Sequence, residues 1–171
     1  LDPAMQRCLG ALLDSYFDMA VAYEPEDTRF EHKTFLLRWL CEILFRPMNP
    51  TQVMPLFMSG GGGQGKSTLG NFICECLGGG LSKTANAKDL LKDTFNASSN
   101  KFNFLDEIVV NRDEAEKLKE WITARFVEMR DLYTKPYRAP SYRNFFATTN
   151  RPVCMAVNAR SKERRIAVYK F

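Results

Sequence analysis

The stretch that decides the fold reads Val53-Met54-Pro55-Leu56-Phe57-Met58-Ser59-Gly60-Gly61-Gly62-Gly63-Gln64-Gly65-Lys66-Ser67-Thr68. Its first six residues form an apolar run of strand length, and Ser59-Gly60 starts a glycine-rich turn. From Lys66 to Leu77 the pattern is helical, and Gly78-Gly79-Gly80 stops it. Between strand and helix, residues Gly60 to Ser67 meet the G-x-x-x-x-G-K-[ST] pattern of a phosphate-binding loop. Glycines let successive backbone N–H groups curl around phosphates, and the helix adds its positive dipole end. Lys66 supplies a point charge to the β and γ phosphates, and the Ser67 hydroxyl suits a magnesium ion. The nucleotide-binding set expected here is Gly60, Gly61, Gly62, Gly63, Gln64, Gly65, Lys66, Ser67 and Thr68. A flexible glycine linker preceding Lys-Ser by chance would not need a strand on one side and a helix on the other.

Working outward, Phe102-Asn103-Phe104-Leu105 is a second buried strand, and it ends in Asp106-Glu107, forty residues beyond Lys66. A carboxylate there, beside a phosphate loop, can hold magnesium through water; its neighbour Glu107 is then placed to orient and deprotonate an attacking water. Phe145-Phe146-Ala147-Thr148-Thr149-Asn150 is a strand closing in polar residues, whose final amide would polarise that water. Glu163-Arg164-Arg165 precedes the strand Ile166-Ala167-Val168-Tyr169, where an arginine can reach the γ-phosphate of a neighbouring subunit. Two surface arginines flanking a strand would show the same spacing.

The rest of the chain reads as alternating elements. Residues 4–23 and Phe30 to Phe45 have helical apolar spacing, with an acidic break at Glu24-Pro25-Glu26-Asp27, Thr28 as an N-cap, and Pro47 and Pro50 as the stop. Further helices are expected over Ala87–Phe95 and Asp113–Arg125, and a hairpin over Val127–Leu132 and Tyr137–Tyr142. The fold class is therefore α/β: a P-loop NTPase with a largely parallel sheet and helices on both faces. A small N-terminal helical unit occupies residues 1–50, and the ATPase core residues 51–171.

Composition removes several classes. In 171 residues, 45% hydrophobic and 26% charged, a packed core is affordable and disorder a poor reading. No apolar run reaches the roughly 18 residues of a membrane span. The chain opens Leu1-Asp2-Pro3-Ala4 without an initiator Met, which reads as an excised piece of a longer protein. Five scattered cysteines (Cys8, Cys41, Cys74, Cys76, Cys154) and one histidine, His32, fit reduced, mostly buried thiols better than a metal site or a nucleophilic triad. Trp39 and Trp121 sit in helical patterns as core residues. Net charge is only +4, yet from Arg125 onward eleven basic residues face three acids, Glu128, Asp131 and Glu163. Such a basic third suits a polyanion, either nucleic acid or nucleotide phosphates, or it is simply a solvated face.

The order of these motifs resembles superfamily 3 helicases, and within them the phage and plasmid primase-helicase ATPases related to poxvirus-type primase-helicases. Phe95-Asn96 before the Asp106-Glu107 strand, Val127-Glu128-Met129-Arg130 with Pro140 and Asn144, and Glu163-Arg164-Arg165-Ile166 carry the likeness, over about residues 30–171. Four glycines stand where many of those proteins have Gly-Pro, and no basic residue follows Glu107. The resemblance implies an AAA+-type ATPase working as a ring, usually a hexamer, with ATP and Mg2+ held between subunits. It makes Lys66, Asp106, Glu107, Asn150 and either Arg164 or Arg165 catalytic, with Ser67 and Asp106 on the metal. It also implies a hairpin near Thr134-Lys135-Pro136-Tyr137-Arg138 that grips single-stranded DNA. Lys135 and Arg138 would pair with phosphates, and Tyr137 would stack on a base or pack on its own hairpin. A primase or polymerase domain in the same parent chain and a place in the host cytoplasm go with that likeness. An ATPase switch assembled on nucleic acid or a partner, with no unwinding, is the alternative. A small-molecule kinase would need neither the Asn strand nor the Arg-Arg close.

Overall fold

The computed structural model describes residues 2–92, 100–129, 135–155 and 164–171. Phe95-Asn96, Arg130, Thr134 and Glu163, on which part of the resemblance rests, lie outside the described residues. Chain order is α1 (Pro3–Ala20), α2 (Arg29–Phe45), β1 (Met54–Met58), α3 (Lys66–Leu77), β2 (Ser82–Ala85) and α4 (Ala87–Lys92). Then follow β3 (Phe102–Leu105), α5 (Arg112–Thr123), β4 (Phe126–Met129), β5 (Tyr137–Pro140), β6 (Asn144–Thr149) and β7 (Ile166–Lys170). Five strands form one all-parallel sheet in the order β2-β3-β6-β1-β7. The class is the α/β, P-loop-like core with a small N-terminal helical unit that the motifs require.

β1 is central, and as a strand covered on both faces it is apolar throughout. Pro55 is tolerated there because Met54 N–H is directed to Arg165 O on the β7 side, so position 55 faces β6. Pairing with β6 begins only at Leu56↔Ala147, whereas β7 pairs along the whole of β1, so the missing N–H costs one position of the β6 ladder and leaves the β7 ladder intact.

Alternation divides the core in two. Met54, Leu56, Leu105, Phe145 and Ala147 face α4 and α5, meeting Leu90, Ala115, Leu118 and Ile122. Phe57, Phe102, Phe104, Phe146 and Tyr169 face the opposite way, meeting Phe17, Leu36, Trp39, Leu69 and Ile73 of α1, α2 and α3. That second layer is aromatic: the Phe57 ring meets Phe146 edge-on at 5.0 Å and Tyr169 edge-on at 5.8 Å, and Phe104 stacks on Phe146 at 5.6 Å. The two N-terminal helices thus share their core with the sheet.

α3 approaches β3 so closely that a Cβ on Gly70 would lie 2.6 Å from the Phe104 ring. Phe104 is fully buried and boxed in by Phe146, so it has nowhere to turn. Gly70→Val is expected to lower unfolding free energy by about 2 kcal/mol or more, overpacking outweighing any gain in helix propensity. Urea unfolding at a constant m-value measures it; unchanged stability would mean the contact yields.

Several local expectations change. α1 ends at Ala20, before the 23 suggested by spacing, because Val21 begins a turn. Thr28 occupies the N-cap position of α2 but in helical φ/ψ, and its hydroxyl donates to Pro25 O instead of capping. α5 opens with a reciprocal Asn111–Glu114 capping box. Only Cys154 of the five cysteines is buried; Cys8, Cys41 and Cys76 lie on outward helix faces, so mostly buried thiols is corrected. Trp39 is core, while Trp121 is half-buried beneath two cations, the Arg143 guanidinium 4.3 Å and the Lys117 ammonium 5.5 Å from its ring centroid. His32 meets the Tyr169 ring edge-on and lies 3.7 Å from Glu24.

The hairpin pairs β4 with β5, Phe126↔Pro140 to Met129↔Tyr137; β5 ends at Pro140, before the Tyr142 expected, and residues 130–134 lie outside the described residues. Ser141 N–H closes its base on Arg125 O at 2.9 Å. Behind that root Arg143 is buried, and desolvation pulls its guanidinium down to about 10.

Candidate nucleotide site

The chain leaves β1 and turns through Ser59–Gly65 into α3. Gly63 and Gly65 have φ of 81° and 80°, a left-handed geometry that admits glycine without steric cost. Gly65 stands at the N-cap of α3 and offers no side chain, and while Thr68 N–H is donated to Gly65 O at 3.0 Å, the N–H groups of Lys66 and Ser67 suit a ligand. Lys66 follows and is 4% exposed. Its Nζ bends back over the loop and donates to Ser59 Oγ, to Gly61 O at 3.1 Å and to Asn150 Oδ1 at 2.6 Å.

The acids stand one strand beyond. Sheet order sets β6 between β1 and β3, so Asn150, the phosphate loop and Asp106-Glu107 meet at the carboxyl edge of three adjacent strands, the place where open parallel sheets bind ligands. Asp106 Oδ1 accepts from Ser67 Oγ at 2.7 Å and from Thr148 Oγ1 at 2.5 Å. A hydroxyl and a carboxylate, both hard oxygen donors, therefore converge at one point, a donor set that fits magnesium. Glu107 has φ of 51°, rare for a residue with a side chain and a strain of about 1–3 kcal/mol where it occurs. Its N–H points at Thr148 Oγ1 at 3.4 Å, and its carboxylate accepts from the Asn150 side-chain amide and, at 3.3 Å, from Asn150 N–H.

Asn150 is the link. Its oxygen accepts a hydrogen bond from Lys66 and its NH2 donates one to Glu107, so one amide spans a cation and an anion. The flipped amide would set donor against donor and acceptor against acceptor, which decides its orientation. From the other side of the loop, Tyr16 of α1 donates its hydroxyl to Gly65 O at 3.0 Å and Lys66 O at 3.2 Å. Burial pushes its pKa well above the ordinary phenol value, so it stays protonated and a donor.

Of the residues singled out from sequence, the structure brings together Gly60 to Thr68, Asp106, Glu107 and Asn150. It does not bring Arg164 and Arg165 to them. Arg165 O accepts from Met54 N, at the amino end of β1, so both arginines lie about 13 Å or more from the loop, a strand's length away. Lys135, Tyr137 and Arg138 are exposed on the hairpin, whose chain enters β6 at that same amino edge. There the Arg138 guanidinium lies 4.5 Å over the Phe126 ring. Ser59, Thr148 and Tyr16 belong to the site and were not assigned to it from sequence. Thr148 carried a signal, a hydroxyl two residues before Asn150 directly after the apolar run Phe145-Phe146-Ala147; Tyr16, fifty residues upstream of Lys66, carried none.

A family model described as a family of unknown function (DUF5906) matches residues 58–165. No curated protein matches the chain. Among solved structures, the A-form apo structure of the NrS-1 C terminal region (305–718) superposes with a TM-score of 0.71 at 19% identity, over 94% of this chain and 37% of that one. Another apo structure of that region gives 0.74 at 19% identity, over 94% and 38%. At such identity the likeness is one of fold, and this chain spans less than two-fifths of their length. Among the described residues no helix is long and apolar enough to cross a membrane.

Proposed function

The chain belongs to the family of unknown function DUF5906, whose match takes in the whole phosphate loop, both acids and Asn150, and we propose that it is an ATP-hydrolysing domain of a DNA helicase or translocase acting in replication of a phage, virus or mobile element. The observation that carries this is the Lys66–Asn150–Glu107 chain of hydrogen bonds beside the Ser67–Asp106 pair. A kinase needs no amide tying its phosphate lysine to a second acid, whereas hydrolysis needs a water held between base and γ-phosphate.

In this reading the backbone N–H groups from Gly61 to Ser67 cradle the phosphates beside the Thr68 hydroxyl, and Lys66 neutralises the β and γ oxygens. Ser67 and Asp106 would hold Mg2+, which supplies charge neutralisation on those oxygens when bound. Glu107 orients the attacking water and takes its proton, and Asn150 fixes both the base and the lysine. Held at the γ-phosphate, Asn150 senses whether it is there.

Arg164 and Arg165 stand at the opposite edge from their own loop, which suits service to a neighbouring subunit's ATP in a ring, usually a hexamer. Lys135, Tyr137 and Arg138 take single-stranded DNA by phosphate pairing and, for the ring, by stacking. A primase or polymerase domain in the parent chain and action in the host cytoplasm complete the proposal. It rests on the order of motifs as well as on the site, and the fold of the NrS-1 C terminal region is in keeping with it.

ATPase rate is measured against protein concentration, with and without single-stranded DNA. The expected rate rises faster than linearly, is stimulated by DNA, and falls about tenfold or more in Arg164→Ala or Arg165→Ala. Lys135→Ala and Arg138→Ala should each reduce the salt slope of DNA binding by about one. A linear rate, indifferent to DNA and to every variant, would leave a nucleotide site and remove the motor. DNA-stimulated hydrolysis with no strand separation would point to the assembled switch.

A further inference from the structure

Beside the phosphate loop lies an open groove of about 270 Å³, just below the usual range for ligand pockets. Leu9, Leu12 and Leu13 of α1 form one wall, and Thr68, Leu69 and Phe72 of α3 the other. Leu12 is 64% exposed, and Leu9, Leu13 and Phe72 are half-buried, so apolar side chains face one another across solvent. Such a surface next to an anion-binding loop is costly unless something covers it.

Its position along the loop identifies the occupant. The γ end of a bound triphosphate is set by Lys66, Asn150 and Glu107, which stand together. The loop then runs into α3 through Ser67 and Thr68, so the phosphate farthest from Glu107 lies against Thr68. That residue lines the groove. A nucleotide seated by the loop must send its sugar and base away from this last phosphate, and the groove opens there. Tyr16, at the groove's inner end, ties α1 to the loop carbonyls of Gly65 and Lys66, so wall and loop keep a constant separation.

Resting on the nucleotide reading above, we propose that the α1–α3 groove is the nucleobase pocket of this site, and that it accepts purines without distinguishing adenine from guanine. A planar heteroaromatic base buries the leucines and packs on the Phe72 ring. Strong discrimination between bases needs buried polar groups that the wrong base leaves unsatisfied. This groove has one polar side chain at its rim, the exposed Thr68; the Tyr16 hydroxyl is already engaged by two carbonyls. Base identity therefore contributes little, and apolar area the most.

The test is calorimetric binding of Mg-ATP, Mg-GTP and Mg-tripolyphosphate to the chain and to Leu12→Trp and Leu12→Ala. Position 12 is exposed, so neither change threatens the fold, and tripolyphosphate, which has no base, checks the loop in each variant. The expected result is ATP and GTP affinities within about threefold of each other. In Leu12→Trp, which fills the groove, both should weaken at least tenfold, and in Leu12→Ala by a few fold, with tripolyphosphate unchanged throughout. ATP binding that is normal in Leu12→Trp overturns the pocket while the loop stands. A preference of a hundredfold for either purine overturns the lack of discrimination. Failure of the parent chain to bind tripolyphosphate and ATP alike overturns the nucleotide reading itself, and the pocket with it.

Discussion

Lys66→Ala is expected to abolish nucleotide turnover, lowering kcat/KM by about a thousandfold or more and ATP affinity by about a hundredfold. Lys66 Nζ makes three donations, to Ser59 Oγ, Gly61 O and Asn150 Oδ1. All three acceptors belong to the loop or to the residue that holds Glu107. Removing the ammonium takes the cation from the β and γ phosphates and also releases the Asn150 oxygen from its shortest hydrogen bond. Charge on a 4% exposed group acts with little solvent screening, which is why one side chain weighs so much. Lys66→Arg is not a rescue: a planar fork cannot reproduce three convergent donations from one nitrogen. Equilibrium titration with Mg-ATP, with circular dichroism to check folding, measures the effect. Undiminished ATP binding in a folded Lys66→Ala protein would remove the loop from the site.

Glu107→Gln separates binding from chemistry. The amide keeps the shape of the carboxylate and can still accept from Asn150, so ATP affinity should stay within a few fold. The base is gone, however, and a positioned general base contributes about 10²–10⁴ in rate. Turnover should fall by that factor while ATP remains bound, giving a protein that holds nucleotide without consuming it. The strained φ of 51° at Glu107 fits such a role, since the backbone there stores energy that a purely structural residue would not need. The check is phosphate release beside a binding titration in the same preparation. Equal turnover in parent and variant would place the base elsewhere.

The motifs readable from sequence were those whose physics is local. An apolar run of six, five glycines and Lys-Ser specify strand, turn and helix without reference to the rest of the chain. The acids and Asn150 were legible because each closes a strand built on a short aromatic and aliphatic run, Phe104-Leu105 for the acids and Phe145-Phe146-Ala147 for Asn150. Sheet order was different: only the pairing of β6 with both β1 and β3 brings Asn150 between lysine and glutamate. β2, Ser82–Ala85, was missed, because an edge strand is half exposed and its polar residues show no apolar run. Tyr16 falls within the helical spacing of residues 4–23, and its hydroxyl's bond to the loop depends on how α1 packs on the sheet. The arginines were located in sequence, but only the strand direction shows that they stand away from their own loop.

Magnesium-dependent phosphate release from ATP by this chain, with Asp106→Asn and chelator as controls, tests the central claim most directly. The expected result is steady release that needs Mg2+, vanishes with chelator and falls at least a hundredfold in Asp106→Asn. ATP bound with undiminished affinity but never hydrolysed, at any protein concentration and with or without single-stranded DNA, would contradict it.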